Sequence, residues 1–431
     1  PPFASLEHTF ANDWKLKGTL NQQTNDHDTQ LGSASGGNPD PVTGEGMFFY
    51  WGKWEGHRVQ TTADINATGP FTLFGREHEL VVGATSQSSR QTGSTFDGSA
   101  FGEVPGSIFD WKGHYPKPDF PKNGKYEKNI NQNSAYIAAR FKPADDLSVI
   151  LGSRLSDFQY NDTYKYYVQS STFSDNKTTS KQHGKVTPYA GVVYDLNDTY
   201  STYASYTSIY KPVTERSQSN TNLPPTEGNS YEIGLKGEYF GGRLNATVAV
   251  FRTEQKKLPI YAGTDADTGR DFYESVDGAK TKGIEFELAG ELMPDWNIMA
   301  GYTYAQTKTD DGKRLYGYPL ETTKPENVAR VFTTYRLPGA LNKVTVGGGV
   351  NWQSPFYGRI WNDPKGDYDI IEQNSYALVN LMTRYDSNEP LSFNLHANNV
   401  FDKKYLSGLG NFSTVYYGEP RSLSLTTKYT F

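Results

Sequence analysis

The chain has no cysteine among its 431 residues. That absence removes both a disulfide framework and a thiolate metal site. Nor is there a run of about 18 apolar residues, the length a membrane helix needs. Strands that cross a membrane stay open, because each is a weak signal by itself. No long block of one charge occurs, and a net charge of −6 leaves no basic footprint for nucleic acid. Hydrophobic residues make up only 35% of the chain and mean hydropathy is −0.68. A large soluble protein that polar would have trouble filling its cores. The start, Pro1-Pro2-Phe3, shows neither a basic stretch nor an apolar signal core. The expectation is a leader already removed or an N-terminal part that is missing.

What is present is aromatic and small. Tyrosine occurs 31 times and glycine 42 times, and 14% of residues are aromatic, which argues against disorder. Period-2 alternation, the mark of half-buried strands, recurs along nearly the whole length. Leu423, Leu425, Thr427, Tyr429 and Phe431 alternate with Ser422, Ser424, Thr426, Lys428 and Thr430. Tyr231, Ile233, Leu235 and Tyr239 alternate with Glu232, Lys236 and Glu238. Ile284, Phe286, Leu288 and Leu292 alternate with Glu285, Glu287 and Glu291, and Val344, Val346, Val350 and Trp352 with small or polar residues. An antiparallel sandwich would alternate in the same way.

Loop length separates the two. Short connections at Asn12-Asp13, Ala144-Asp145-Asp146, Asn197-Asp198, Gly241-Gly242, Met293-Pro294-Asp295, Pro338–Asn342 and Ser387-Asn388-Glu389 alternate with long polar stretches. The long ones lie around 24–45, 92–130, 161–181, 211–227, 257–280, 310–325, 355–373 and 403–418. Short turns at one end and long loops at the other are the habit of an outer-membrane barrel. The fold class is therefore all-β, a transmembrane antiparallel β-barrel of roughly 17 strands, about 10–15 residues each. The odd count suggests absent N-terminal strands, since bacterial barrels normally have an even number. Trp14, Tyr194, Tyr239, Trp296, Trp352, Tyr385 and Tyr429 sit at strand ends, as girdle residues do.

Several phrases, in order, carry a resemblance. They are Ala67-Thr-Gly-Pro-Phe-Thr-Leu-Phe-Gly75, Leu147-Ser-Val-Ile-Leu-Gly-Ser-Arg-Leu155, Pro188-Tyr-Ala-Gly-Val-Val-Tyr-Asp195 and Tyr203-Ala-Ser-Tyr-Thr207. Lys282-Gly-Ile-Glu-Phe-Glu-Leu288, Gly347-Gly-Gly-Val-Asn-Trp-Gln353, Asn398-Asn-Val-Phe-Asp-Lys-Lys-Tyr405, Tyr417-Gly-Glu-Pro-Arg421 and a terminal Tyr429-Thr-Phe431 follow. Together they resemble TonB-dependent ferric siderophore receptors, closest to the ferripyoverdine and hydroxamate group. The resemblance implies a 22-stranded barrel with an N-terminal plug, of which residues 1–431 are the barrel portion without plug or first strands. It implies an outer-membrane location, contact with lipid and lipopolysaccharide, and TonB, with ExbB and ExbD, acting through the missing N-terminal region. The implied ligand is a ferric siderophore of pyoverdine or hydroxamate type. Iron arrives already chelated, so no cofactor and no protein metal ligand is expected; the 7 histidines are scattered.

Rigid aromatics at loop bases suit a bulky chelate with apolar flanks. Trp54 shares parity with Arg58, Gln60 and Asp64 and should point into the lumen, whereas Trp51 has girdle parity. Trp111, Arg359, Trp361, Tyr416 and Tyr417 lie in or beside long loops; ordinary loop packing is the plain alternative for each. Glu232, Glu285 and Glu287 suit a hydrated inner wall. With no GxSxG elbow, phosphate loop or Ser-His-Asp pattern, there is no argument for catalysis. Three other functions are carried alongside: a receptor for cobalamin or a glycan, a passive porin-like channel, and a lipase-like barrel.

Overall fold

Alternating side chains can satisfy lipid on one face and water on the other only if every strand keeps one register with its neighbours. The computed structural model describes residues 2–35, 39–96, 100–103, 106–114, 118–168, 172–267, 269–309, 324–362, 367–388, 390–409 and 415–430. Phe431 and Glu389 lie outside the described residues. The chain runs β1 (Phe3–Thr9), β2 (Lys15–Ser35), β3 (Phe48–Leu73), β4 (Arg76–Phe96), the short β5 (Ala100–Glu103), β6 (Lys122–Ala144), β7 (Leu147–Val168) and β8 (Thr172–Asp195). It continues with β9 (Tyr200–Lys211), β10 (Thr226–Tyr239), β11 (Leu244–Lys256), β12 (Leu258–Thr264), β13 (Asp271–Val276), β14 (Ala279–Met293), β15 (Trp296–Thr309) and β16 (Asn327–Arg336). Last come β17 (Val344–Gln353), β18 (Phe356–Asn362), β19 (Asp367–Gln373), β20 (Tyr376–Asn388), β21 (Leu391–Asn398), β22 (Leu406–Leu409), β23 (Val415–Tyr417) and β24 (Ser422–Tyr429).

Among the described residues the main sheet has 18 strands, one of them the four-residue β5 added to the top of β3, which leaves 17 in the wall. Those 17 pair antiparallel in chain order, each with the next. Among the described residues β1 pairs only with β2 and β24 only with β21. The pairs β12–β13, β18–β19 and β22–β23 are small hairpins within the long connections. Register carries one face across the wall: Leu20, Ala63, Ser86; then Leu235, Val248, Phe286, Tyr302, Ala329, Trp352, Ala377. That face is apolar and open to its surroundings, with Ile233 60% exposed. It is the lipid face. Outward Tyr231 and Tyr239 bracket it on β10, eight residues or about 27 Å apart along the strand.

The opposite face is wet. Asp64 accepts hydrogen bonds from Thr85 (2.7 Å), Asn66 (2.8 Å) and Tyr136 (3.3 Å), and Arg154 donates to Ser134 at 2.6 Å. Glu232 accepts the Tyr203 hydroxyl at 2.6 Å, and the Lys236 ammonium lies over the Tyr203 ring. Glu232, Glu285 and Glu287 thus occupy the inner wall that parity assigns them.

The expected strand length needs correction. Strands β2, β3, β4, β6, β7 and β8 have 21, 26, 21, 23, 22 and 24 residues, about twice what a tilted crossing needs. Much of 24–45, 92–130 and 161–181 is therefore strand, standing beyond the membrane. There both faces are solvated, so hydrophobic alternation disappears while the ladder persists. The outward face carries ion pairs there, Asp28–Lys53 at 3.4 Å and Arg90–Glu127 at 3.1 Å. Hydrogen bonds from Asn129 and then Arg90 hold the Glu127 carboxyl below its ordinary value. Trp51 sits at this height, packed over Gly32 of β2, and is not a girdle residue.

At the short-turn end, Phe74 and Gly75 form a further two-residue turn with φ of 51° and 71°. Positive φ at both places matches a type I′ hairpin. Beside it His78, 5% exposed, closes two turns together. The Lys142 N–H donates to its Nδ1 at 2.9 Å, so the ring proton is on Nε2 and goes to the Leu73 carbonyl at 3.1 Å. Phe71 and Phe141 flank the ring. His78→Ala should cost about 1–3 kcal/mol by orphaning those two backbone groups, read as a lower midpoint in denaturant. An unchanged midpoint would mean that water replaces the ring without loss.

Candidate functional site

The tall half of the wall presents an aromatic inner surface above the membrane. Register aligns His27, Gly56, Gly93, Tyr126 and Tyr164 in one row across β2, β3, β4, β6 and β7. Two glycines in succession leave a flat strip of backbone, and the Tyr126 ring lies across it. A Cβ at Gly56 would stand 2.6 Å from the Tyr126 hydroxyl, and one at Gly93 would stand 2.5 Å from its ring. Gln91 donates to that hydroxyl at 3.1 Å. Tyr164 stacks on Tyr126 with ring centroids 5.7 Å apart and planes 27° from parallel. Next to them Tyr160 donates to Asp162 at 2.8 Å, and Lys128 pairs with the same carboxylate at 3.6 Å. Burial, reinforced by Asp162, raises the Tyr160 phenol above its ordinary value, so it remains a neutral donor.

Trp54 belongs to this surface. Its parity on β3 is that of Arg58, Gln60 and Asp64, as the sequence predicts, and its indole lies over Gly52, 44% exposed. The other candidates arrive from separate connections at the same end. Trp111, 39% exposed, donates its indole N–H to the His114 carbonyl at 3.1 Å, in a segment tied to the 39–47 loop by Ile108 N–H to Gly44 O at 2.8 Å. Tyr416 and Tyr417 lie in β23, 53% and 79% exposed. Arg359 and Trp361 fall in β18, paired with Ile370 and Tyr368; their side chains lie outside the described residues. Sequence parity missed Tyr126, Tyr160 and Tyr164, because they stand where hydrophobic alternation fades.

The free edge of the tall half is closed. Strand β9 pairs with β8 only over Tyr189–Asp195, so the outer part of β8 would be open. The 212–225 connection folds against it. Ser180 and Gln182 both donate to the Val213 carbonyl, at 2.9 and 3.0 Å, and Arg216 donates to the Thr179 carbonyl at 2.6 Å. Phe158, Val213 and Leu223 are buried beneath. An edge covered this way offers no template for strand addition. What the mouth can do chemically is hold a flat or apolar group against aromatic faces, with Lys128, Asp162 and the Tyr160 hydroxyl beside it.

Comparison with known proteins places this geometry. The family described as TonB dependent receptor-like, beta-barrel matches residues 3–400. The ferripyoverdine receptor of Pseudomonas aeruginosa is 36% identical over 437 aligned residues, covering 100% of this chain and 51% of that protein. The ferric-pyoverdine BN7/BN8 receptor of Pseudomonas putida is 39% identical, with 100% and 51% covered. The crystal structure of the Pseudomonas aeruginosa outer-membrane ferripyoverdine receptor bound to ferripyoverdine superposes with a TM-score of 0.87 at 36% identity, over 99% of this chain and 55% of that one. The chain spans about half the length of the curated relatives it matches. With the wall, its register and its loop asymmetry in agreement, the chain belongs to the TonB-dependent receptor β-barrel family.

Proposed function

We propose that this chain forms the wall of an outer-membrane receptor that takes a ferric siderophore of the pyoverdine class from outside. TonB, driven with ExbB and ExbD, supplies the energy for release to the periplasm. The observation that carries the reading is the aromatic inner surface at the long-loop end, in a chain whose relatives are ferripyoverdine receptors. Aromatic faces hold a chelate at low entropic cost, because each ring has few rotamers to lose. Trp54, with Tyr126 and Tyr164, forms the fixed part of the site; Trp111, Arg359, Trp361, Tyr416 and Tyr417 close on the ligand from the connections above. The apolar outward band meets lipid, and the polar outward face over it meets lipopolysaccharide. Edges β1 and β24 must be paired in hydrocarbon, by each other or by further strands, since unpaired backbone groups cost several kcal/mol each there.

Ferripyoverdine titrated into the full-length receptor should quench tryptophan fluorescence saturably at submicromolar concentration. Uptake should stop in cells without TonB while binding persists. A receptor that answers none of a panel of iron-loaded siderophores, or uptake that survives loss of TonB, would overturn the reading.

A further inference from the structure

Three neighbouring strands outside the tall half end their lipid-facing run in the same way. The last apolar outward residue is Val250 on β11, Ile284 on β14 and Tyr304 on β15. The next outward positions are Arg252, Lys282 and Gln306, and above them stand Glu254, Lys280 and Lys308. Register sets Arg252 opposite Tyr231, the upper girdle residue of β10. The charges therefore begin where the apolar band stops, at the outer surface of the membrane. Arg252, Lys282 and Lys308 are exposed, and Lys280 is half-buried.

The pairing puts like charges face to face. Arg252 lies directly opposite Lys282 across β11 and β14, and Lys280 directly opposite Lys308 across β14 and β15. Directly opposed like charges destabilise an antiparallel pair. An anion held among the four side chains would relieve both contacts at once. Among the described residues of these two rows, from β10 to β15, the wall supplies one carboxylate, Glu254. It faces Lys280 and is bonded by Arg252. Beside the rows, Glu326 accepts a hydrogen bond from Gln306 at 3.3 Å. Four cations against these two carboxylates leave the patch positive. On the tall half, by contrast, Lys53 is answered by Asp28 and Arg90 by Glu127 within the wall.

We infer that Arg252, Lys280, Lys282 and Lys308 form a lipid site that seats a phosphate of lipid A, the phosphorylated glycolipid part of lipopolysaccharide. The inference rests on the membrane position of the outward face given above, and not on which siderophore is carried. Three strands span about 10 Å, and two successive outward positions about 7 Å, an area that a sugar phosphate covers. Ammonium and guanidinium groups both bind phosphate through charge-assisted hydrogen bonds. Their aliphatic stems can follow the wall while the charged heads stay at the headgroup level. The acyl chains of the same lipid then lie on Val250, Ile284 and Tyr304 directly below. A neutral headgroup would leave both like-charged contacts as they are, so the site selects for the phosphate.

The test places the full-length receptor in bilayer discs of neutral phosphatidylcholine and adds lipid A with or without its phosphates. Native mass spectrometry reads the lipid retained per receptor, and thermal unfolding reads stability. The wild type should retain phosphorylated lipid A and unfold at a higher temperature with it; the dephosphorylated form should do neither. Lys282→Gln together with Lys308→Gln removes one charge from each opposed pair. The double variant should hold phosphorylated lipid A more weakly by on the order of tenfold. In phosphatidylcholine alone it should be at least as stable as the wild type, since both repulsions are gone. Undiminished retention by the double variant would overturn the site, as would equal retention of both lipid A forms by the wild type. Phosphatidylglycerol held as tightly as lipid A would mark an unselective basic surface and overturn it too. A double variant less stable in phosphatidylcholine would show that the lysines serve the wall itself, with the same consequence. Siderophore binding by the double variant should equal that of the wild type. A receptor that retains lipid A but answers no ferric siderophore would overturn the receptor reading and leave this site standing.

Discussion

Arginine in place of Leu235 should destabilise the folded barrel by about 2–4 kcal/mol, the cost of a charge at the bilayer midplane. Leu235 is 44% exposed and points outward, level with Thr202 on β9 and Val248 on β11. It stands four residues from Tyr231 and four from Tyr239, and so midway between the girdles. The next residue, Lys236, already carries a charge, but into the lumen, where its ammonium lies 4.9 Å from the Tyr203 ring centroid. Lys236→Ala should therefore change stability by less than about 1 kcal/mol. Denaturant unfolding of the receptor in lipid bilayers reads both values. If Leu235→Arg were as mild as Lys236→Ala, the assignment of lipid and lumen faces would be reversed or lost.

That contrast also shows where the sequence was transparent. Between the girdles one face is lipid and the other water, so Leu235 and Lys236 must differ in kind, and period 2 is plain. Trp54 faces inward as its parity requires. Ten residues further out the same β3 ladder has water on both sides, and Trp51 and Trp54 no longer differ by environment. Parity still holds there, but nothing in composition announces a strand, so 92–130 and 161–181 read as loops although β6 and β7 run through them. Phe74-Gly75 was opaque for another reason. A phenylalanine at positive φ lacks the usual Asn-Gly signature, and its ring, 95% exposed, finds its environment in the membrane interface instead. Rows such as His27–Gly56–Gly93–Tyr126–Tyr164 depend on the stagger of five strands. Residues dozens of positions apart meet only once every register is known, so the aromatic surface required the structure.

The same row yields a sharper test of the site. Gly93→Val should weaken siderophore binding at least about tenfold while leaving the barrel assembled. A Cβ at Gly93 would press into the Glu55 carbonyl, which is backbone and cannot swing aside, and into the Tyr126 ring, which can. Valine therefore lifts the phenol off its glycine strip. The 5.7 Å stack with Tyr164 and the hydrogen bond from Gln91 go with it. Below this level β4 keeps its pairing with β3 from Arg76 and with β6 from Glu79 to beyond Ser86, across the lipid band. Folding in the membrane should survive, visible as an unchanged heat-dependent gel shift. Gly18→Ala is the matched control, because nothing lies within 4 Å of a Cβ there, and it should leave both readouts as they are. Tyr126→Ala removes the ring directly and should cost about as much affinity as Gly93→Val. Since both act on one ring, the double variant should bind no worse than the weaker single; losses that add would show that Gly93 acts on the ligand by some other route.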